Sequence, residues 1–111
     1  MSSVFDRSSV RDLTPDEVAR GLESGEIVLV DVREPNETML ERIPGSVLVP
    51  LSTFDPDEIP DPEGRTVVFS CRSGNRSVKA SELAQAAGLP YKAHLAGGII
   101  AWKAAGYPTE Q

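Results

Sequence analysis

"VVFSCRSGNRSVKA" runs from Val67 to Ala80 and holds the only cysteine of a 111-residue chain. Two valines and a phenylalanine lead into Cys71 as in a buried strand, and a glycine-bearing loop leads out of it into helix-favouring residues. Thr66 to Ser70 is therefore expected as a strand. Asn75 to about Ala87 is expected as a helix, with Ala80, Leu83, Ala84 and Ala87 on one face and Gly88 as its stop. A strand that turns directly into a helix is the unit of α/β architecture.

The flanking sequence repeats that unit. Thr14-Pro15-Asp16-Glu17 is a capping box with proline at the first helical position, Val18 and Leu22 follow on one face, and Gly25 closes the helix. "IVLVDVRE" (Ile27 to Glu34) is an apolar run ending in charge, the pattern of a strand covered on both faces. A helical turn is expected over Asn36 to Glu41, a short strand over Val47 to Val49, and another strand in "YKAHL" (Tyr91 to Leu95). Gly97-Gly98 is a tight turn into a last helix, Ile99 to Ala105, whose Ile99 and Trp102 belong to the core. The segment Thr53 to Gly64, with three prolines and five acids, is a surface connection. The whole reads as one α/β domain over residues 1–111, with its core at about 10–108, around a mostly parallel sheet.

Composition narrows the partners. A net charge of −6 repels nucleic acid and anionic membrane surfaces. No window reaches the ~20 apolar residues of a membrane helix, and "MSSVFDRSSV" has no apolar leader core, so a cytoplasmic protein is expected. One cysteine allows no internal disulfide, and no Cys/His spacing suits zinc, so neither metal nor cofactor is expected.

Ligands of open α/β sheets gather at the carboxyl ends of strands. Cys71 lies at one such end; Asp31 and Arg33 lie at another. Successive N–H groups of a tight loop opening a helix make an anion nest, and Gly74 lets the loop curl. Arg72, Arg76 and Lys79 add three positive charges, with no acid among them, in an acidic chain. A thiol of ordinary acidity is only a few per cent ionised at neutral pH. The nest and the helix N-terminus, worth up to ~2 kcal/mol, favour the anion. This constellation suits a thiolate nucleophile with an anionic substrate.

Four motifs in order carry a resemblance: "VDVREP" (Val30 to Pro35), "IPGSVLVPL" (Ile43 to Leu51), "CRSGNRS" (Cys71 to Ser77) and "LAGGIIAWKAAGYP" (Leu95 to Pro108). The chain resembles the single-domain rhodaneses, which are sulfurtransferases. That resemblance implies a three-layer fold with a five-stranded sheet and helices on both faces. It implies that Cys71 takes a sulfane sulfur from a small anionic donor, such as thiosulfate or a low-molecular-weight persulfide. A thiol, cyanide or a thioredoxin-like protein is the implied acceptor. The backbone of Arg72, Ser73, Gly74, Asn75, Arg76 and Ser77 would stabilise the sulfur anion, and Arg72 and Arg76 would either orient the donor or pair with surface acids. Asp31 and Arg33 would either line the pocket rim or form an ion pair that holds neighbouring loops.

Four residues separate Cys71 from Arg76, one fewer than in related phosphatases and arsenate reductases, so the loop is sized for one sulfur atom. Where many relatives carry Gly-His before Ile-Pro-Gly, this chain has Glu41-Arg42, which puts Arg42 at the expected rim. His94, the only histidine, is expected to be structural. A different class of function is a sulfur-relay module that serves another protein, docking around Arg42 and Lys79.

Overall fold

The computed structural model describes residues 10–111, so the stretch "MSSVFDRSSV" and the expectation read from it fall largely outside them. Five strands form one sheet: β1 (Arg11–Leu13), β2 (Ile27–Asp31), β3 (Val47–Leu48), β4 (Thr66–Ser70) and β5 (Ala93–Leu95). Their order is β1-β5-β4-β2-β3, and every pairing is parallel. The helices are α1 (Pro15–Ser24), α2 (Pro35–Thr38), α3 (Asn75–Ala86) and α4 (Gly98–Ala104). Of two short 3₁₀ turns, Leu51–Thr53 leads into the acidic connection and Pro56–Glu58 lies within it.

The apolar runs of β2 and β4 divide between two cores because successive side chains of a strand point to opposite faces. Val28, Val30, Val67 and Phe69 pack on one face with Ala80 and Ala84 of α3. Leu29 and Val68 pack on the other with Val18 of α1 and with Ile99 and Trp102 of α4. This is the expected three-layer arrangement.

The capping box of α1 is formed in both directions: Glu17 N–H donates to Thr14 Oγ1 at 3.1 Å and Thr14 N–H to Glu17 Oε1 at 3.0 Å. Some expectations shift. The predicted turn over Asn36 to Glu41 is helical at Pro35–Thr38, Val49 lies beyond the end of β3, and Tyr91 and Lys92 precede β5. Leu83 on α3 and Ala87 just past its end are less buried than Ser77 and Ser81. The edge strand β1 was not anticipated from the residues, since only Leu13 of its three side chains is buried.

Candidate active site

β4 and β2 lie side by side in the middle of the sheet, with Asp31 paired to Ser70 in register. Their carboxyl ends therefore bring Cys71 and the Asp31–Arg33 segment together. Cys71 is buried. The loop after it wraps back on the sulfur: Gly74 N–H donates to Sγ at 3.1 Å and Ser77 N–H at 3.4 Å. Gly74 has φ +108°, a conformation open to glycine and strained for other residues.

The outer side of the same loop is held by α4. Ile99 N–H donates to the Cys71 carbonyl at 2.9 Å and Ile100 N–H to that of Arg72 at 3.2 Å. Amides at the start of a helix lack intrahelical acceptors, so these carbonyls satisfy them and fix the loop at once. Approach this close requires glycine: a Cβ on Gly98 would lie 2.4 Å from the carbonyl oxygens of both Cys71 and Arg72. Gly97-Gly98 is thus more than a tight turn. It is where the last helix is clamped to the cysteine loop.

A cleft of about 360 Å³ opens over the loop. Arg72, Ile99 and Ile100 line it, together with Arg33, Leu40 and Glu41. Arg72 is exposed and makes no ion pair among the described residues. Arg76 takes the second of its two expected roles: it is held by Glu37 through two hydrogen bonds of 2.7 and 2.9 Å. That bonding pulls the Glu37 carboxyl down from 4.5 to about 2 and raises the proton affinity of the Arg76 guanidinium. The loop is therefore less positive than its sequence alone suggests.

Asp31 and Arg33 form a buried ion pair, with Arg33 Nη2 2.8 Å from Asp31 Oδ2. The same Nη2 donates to the Glu41 carbonyl at 2.8 Å, tying the end of β2 to the chain that borders the cleft. Arg33 also lines the cleft, so it both holds the loops and contributes to the rim. Arg42 does not line the cleft. Its backbone bridges Glu110 and its side chain pairs with the Glu110 carboxylate at 2.9 Å, which turns it toward the C-terminal segment. The neighbouring Glu41 takes the expected rim position. Its carboxyl is held below the usual range by hydrogen bonds from Thr109 and Lys103.

Sequence reasoning missed Glu37, Glu41 and Lys103 at the cleft. Their partners lie 39, 68 and 62 residues away, beyond any local pattern. It also missed the contacts of His94. This buried imidazole lies 2.8 Å from Ser77 Oγ through Nδ1 and 2.6 Å from Asp12 Oδ1 through Nε2. Among the described residues no group of His, Cys, Asp and Glu side chains is arranged to hold a metal, and no helix is long and apolar enough to cross a membrane.

The chain matches the family model of the rhodanese-like domain over residues 14–105. It is 46% identical over 83 residues to an uncharacterized protein of Synechocystis, covering 75% of this chain but only 46% of that protein. It is 36% identical over 83 residues to a protein of Allochromatium vinosum named sulfurtransferase, covering 75% of this chain and 78% of that one. A solved structure from Rhodopseudomonas palustris, described as a protein of unknown function and possible tyrosine phosphatase, superposes with a TM-score of 0.78 at 33% identity. It covers 93% of this chain and 86% of its own. Fold, motif order and these matches agree: the chain belongs to the rhodanese-like domain family.

Proposed function

We propose that this protein is a sulfurtransferase that carries a sulfane sulfur on Cys71. The observation that supports this most directly is the pair of amides, from Gly74 and Ser77, that converge on one sulfur atom at 3.1 and 3.4 Å. Donors fixed in advance around a forming anion stabilise it without reorganisation. The Cys71 thiolate attacks the outer sulfur of a donor such as thiosulfate. The donor's S–S bond breaks, sulfite leaves with the electron pair, and Cys71 becomes a persulfide anion. A thiolate or cyanide then attacks the terminal sulfur and returns Cys71 to the thiolate. Arg72 is the cation positioned to attract the donor.

Phosphatase chemistry fits this loop less well. An oxyanion centre brings three further oxygens that need donors, and each left unpaired costs about 1–3 kcal/mol. The arginine that closes the loop is occupied by Glu37. A protein acceptor is the second reading, favoured by Met39 and Leu40, which are 77% and 72% exposed beside the cleft. It moves the docking surface from Arg42 and Lys79 to this apolar rim.

Intact-protein mass spectrometry after treatment with thiosulfate, glutathione persulfide and polysulfide in parallel tests the proposal. The expected result is the mass of one added sulfur, removed by cyanide or dithiothreitol and absent from Cys71→Ser. Sulfur retained on Cys71→Ser would sink it. Hydrolysis of aryl phosphates that is lost in Cys71→Ser would replace it with the phosphatase reading.

A further inference from the structure

The sulfur-transfer steps above leave unused a line of polar groups that runs from Cys71 to solvent. The Cys71 thiol is 3.6 Å from Ser77 Oγ, which is 2.8 Å from His94 Nδ1; His94 Nε2 is 2.6 Å from Asp12 Oδ1. Cys71, Ser77 and His94 are buried, whereas the Asp12 side chain is 71% exposed. Asp12 and His94 line a small cleft of about 160 Å³ that shares no residue with the wall of the larger one. The hydrogen-bonded line therefore reaches solvent at an opening separate from the larger cleft.

The far end sets the direction of the hydrogen bonds. A carboxylate only accepts, so His94 Nε2 carries a hydrogen toward Asp12. In the neutral imidazole Nδ1 then has a free lone pair, which accepts from the Ser77 hydroxyl. That leaves the Ser77 oxygen to accept from the Cys71 thiol. Every group of the line has its partner, and each side-chain hydrogen along it points away from sulfur.

We propose that His94, oriented by Asp12, takes up the proton of Cys71 through Ser77. The Cys71 S–H bond breaks as an O–H bond forms on Ser77, and the original Ser77 O–H bond breaks as an N–H bond forms on His94 Nδ1. A neutral thiol and a neutral imidazole become a thiolate and an imidazolium, and Ser77 ends as the hydroxyl it was. Its hydrogen now faces the thiolate, with the Gly74 carbonyl at 3.1 Å as an alternative acceptor. The imidazolium carries hydrogen on both nitrogens, one toward Ser77 and one toward the charge of Asp12. The charged groups bearing on this line are Asp12 from β1, Cys71 from the end of β4, and Arg76 from α3. Arg76 interacts with Cys71 through space while held by Glu37. His94 and Asp12 act through Ser77 and touch no reacting atom, so they are positioning residues. The proposal rests on Cys71 being the nucleophile.

Alkylation of Cys71 by iodoacetamide, followed from about pH 6 to about pH 10, tests this with no sulfur donor present. His94→Gln should react about tenfold more slowly than wild type near neutral pH, because the thiol then lacks the base that takes its proton. In strongly alkaline buffer it should match wild type, because hydroxide alone then ionises the thiol. A profile that superposes on wild type, or one lowered equally at every pH as for a merely structural histidine, overturns the proposal. Should His94→Gln fail to fold, Asp12→Asn decides. Its exposed side chain is safe to change, and it should show a smaller fall in the same direction; an unchanged profile overturns the relay. The alkylation profile of the relay and the uptake of sulfur are read separately. If the profile shifts as expected but thiosulfate adds no sulfur, the relay stands and the sulfurtransferase reading fails. If sulfur is added with no shift in the profile, the reverse holds.

Discussion

Around the sulfur the donors are main-chain amides, from Gly74 and Ser77 on the inside, with Ile99 and Ile100 amides bracing the loop carbonyls from outside. At the cleft rim the contacts are side-chain ion pairs, Arg76 with Glu37 and Lys103 with Glu41. Main-chain donors are placed by loop length and by glycine, so a substitution that keeps the backbone keeps them. Rim pairs depend on two particular side chains reaching each other, and half-exposed pairs of this kind contribute only about 1 kcal/mol. The cradle should therefore respond to changes in geometry and the rim to changes in charge.

The largest effect should come from lengthening the loop. One glycine inserted between Asn75 and Arg76 spreads the amides from a volume suited to one sulfur. Loss of two such interactions at about 1.4 kcal/mol each lowers sulfur transfer by about a hundredfold. Steady-state transfer to cyanide measures it, and a rate within a few-fold of wild type would show that the amides do not hold the sulfur.

Gly98→Ala should come next. Its Cβ meets two carbonyl oxygens at 2.4 Å, and its φ of +60° is strained for alanine. Overpacking and strain together should cost about 3 kcal/mol of stability. Denaturant unfolding at unchanged m-value reads it. A midpoint equal to that of wild type would mean that α4 and the loop are not clamped.

At the rim, Arg72→Ala should raise the Michaelis constant for thiosulfate by about tenfold, as for loss of one partly exposed charge contact. Arg76→Ala should raise it less, since Glu37 already neutralises that guanidinium. An equal effect of the two would show that the Glu37 pair opens when the donor binds.

The smallest effect is a dependence on pH. The folded-state carboxyl of Glu37 is depressed from 4.5 to about 2, so its contribution is present above about 4.5 and lost as pH falls through about 2. Glu37→Gln should therefore be less stable than wild type by about 1 kcal/mol at neutral pH. The gap should close in that acid window. A gap that persists unchanged below it would mean that Glu37 acts through packing and not through charge.

Legibility in the sequence follows the same division. The strand–loop–helix at Cys71 and the twin faces of β2 and β4 could be read because each depends on neighbours in the chain. The capping box at Thr14 could be read for the same reason. For Arg76 the sequence left open a donor contact or a surface acid, because Glu37, the acid that occupies it, is distant in sequence and meets it only in the fold. Arg42 looked like a rim residue from its alignment with a motif, but pairing with Glu110 turns it away. His94 reads as structural from its place before Leu95 on a short strand; its two partners, from α3 and from β1, are not visible in the local sequence. β1 is three residues long with one buried side chain, too short for an alternating pattern to declare itself.

The amides of Ile99 and Ile100 also set an order of events during synthesis. Chains emerge from their N-terminus at about 5–20 residues per second, so Cys71 precedes the helix that braces its loop by about one to several seconds. Until Gly98 has arrived and the helix has closed against it, the carbonyls of Cys71 and Arg72 lack the donors that pin the loop. A nascent chain thus carries an ordinary cysteine, and its special surroundings are assembled last. Ribosome-bound chains halted before and after α4 should differ in thiol labelling, although every residue of the loop is present in both.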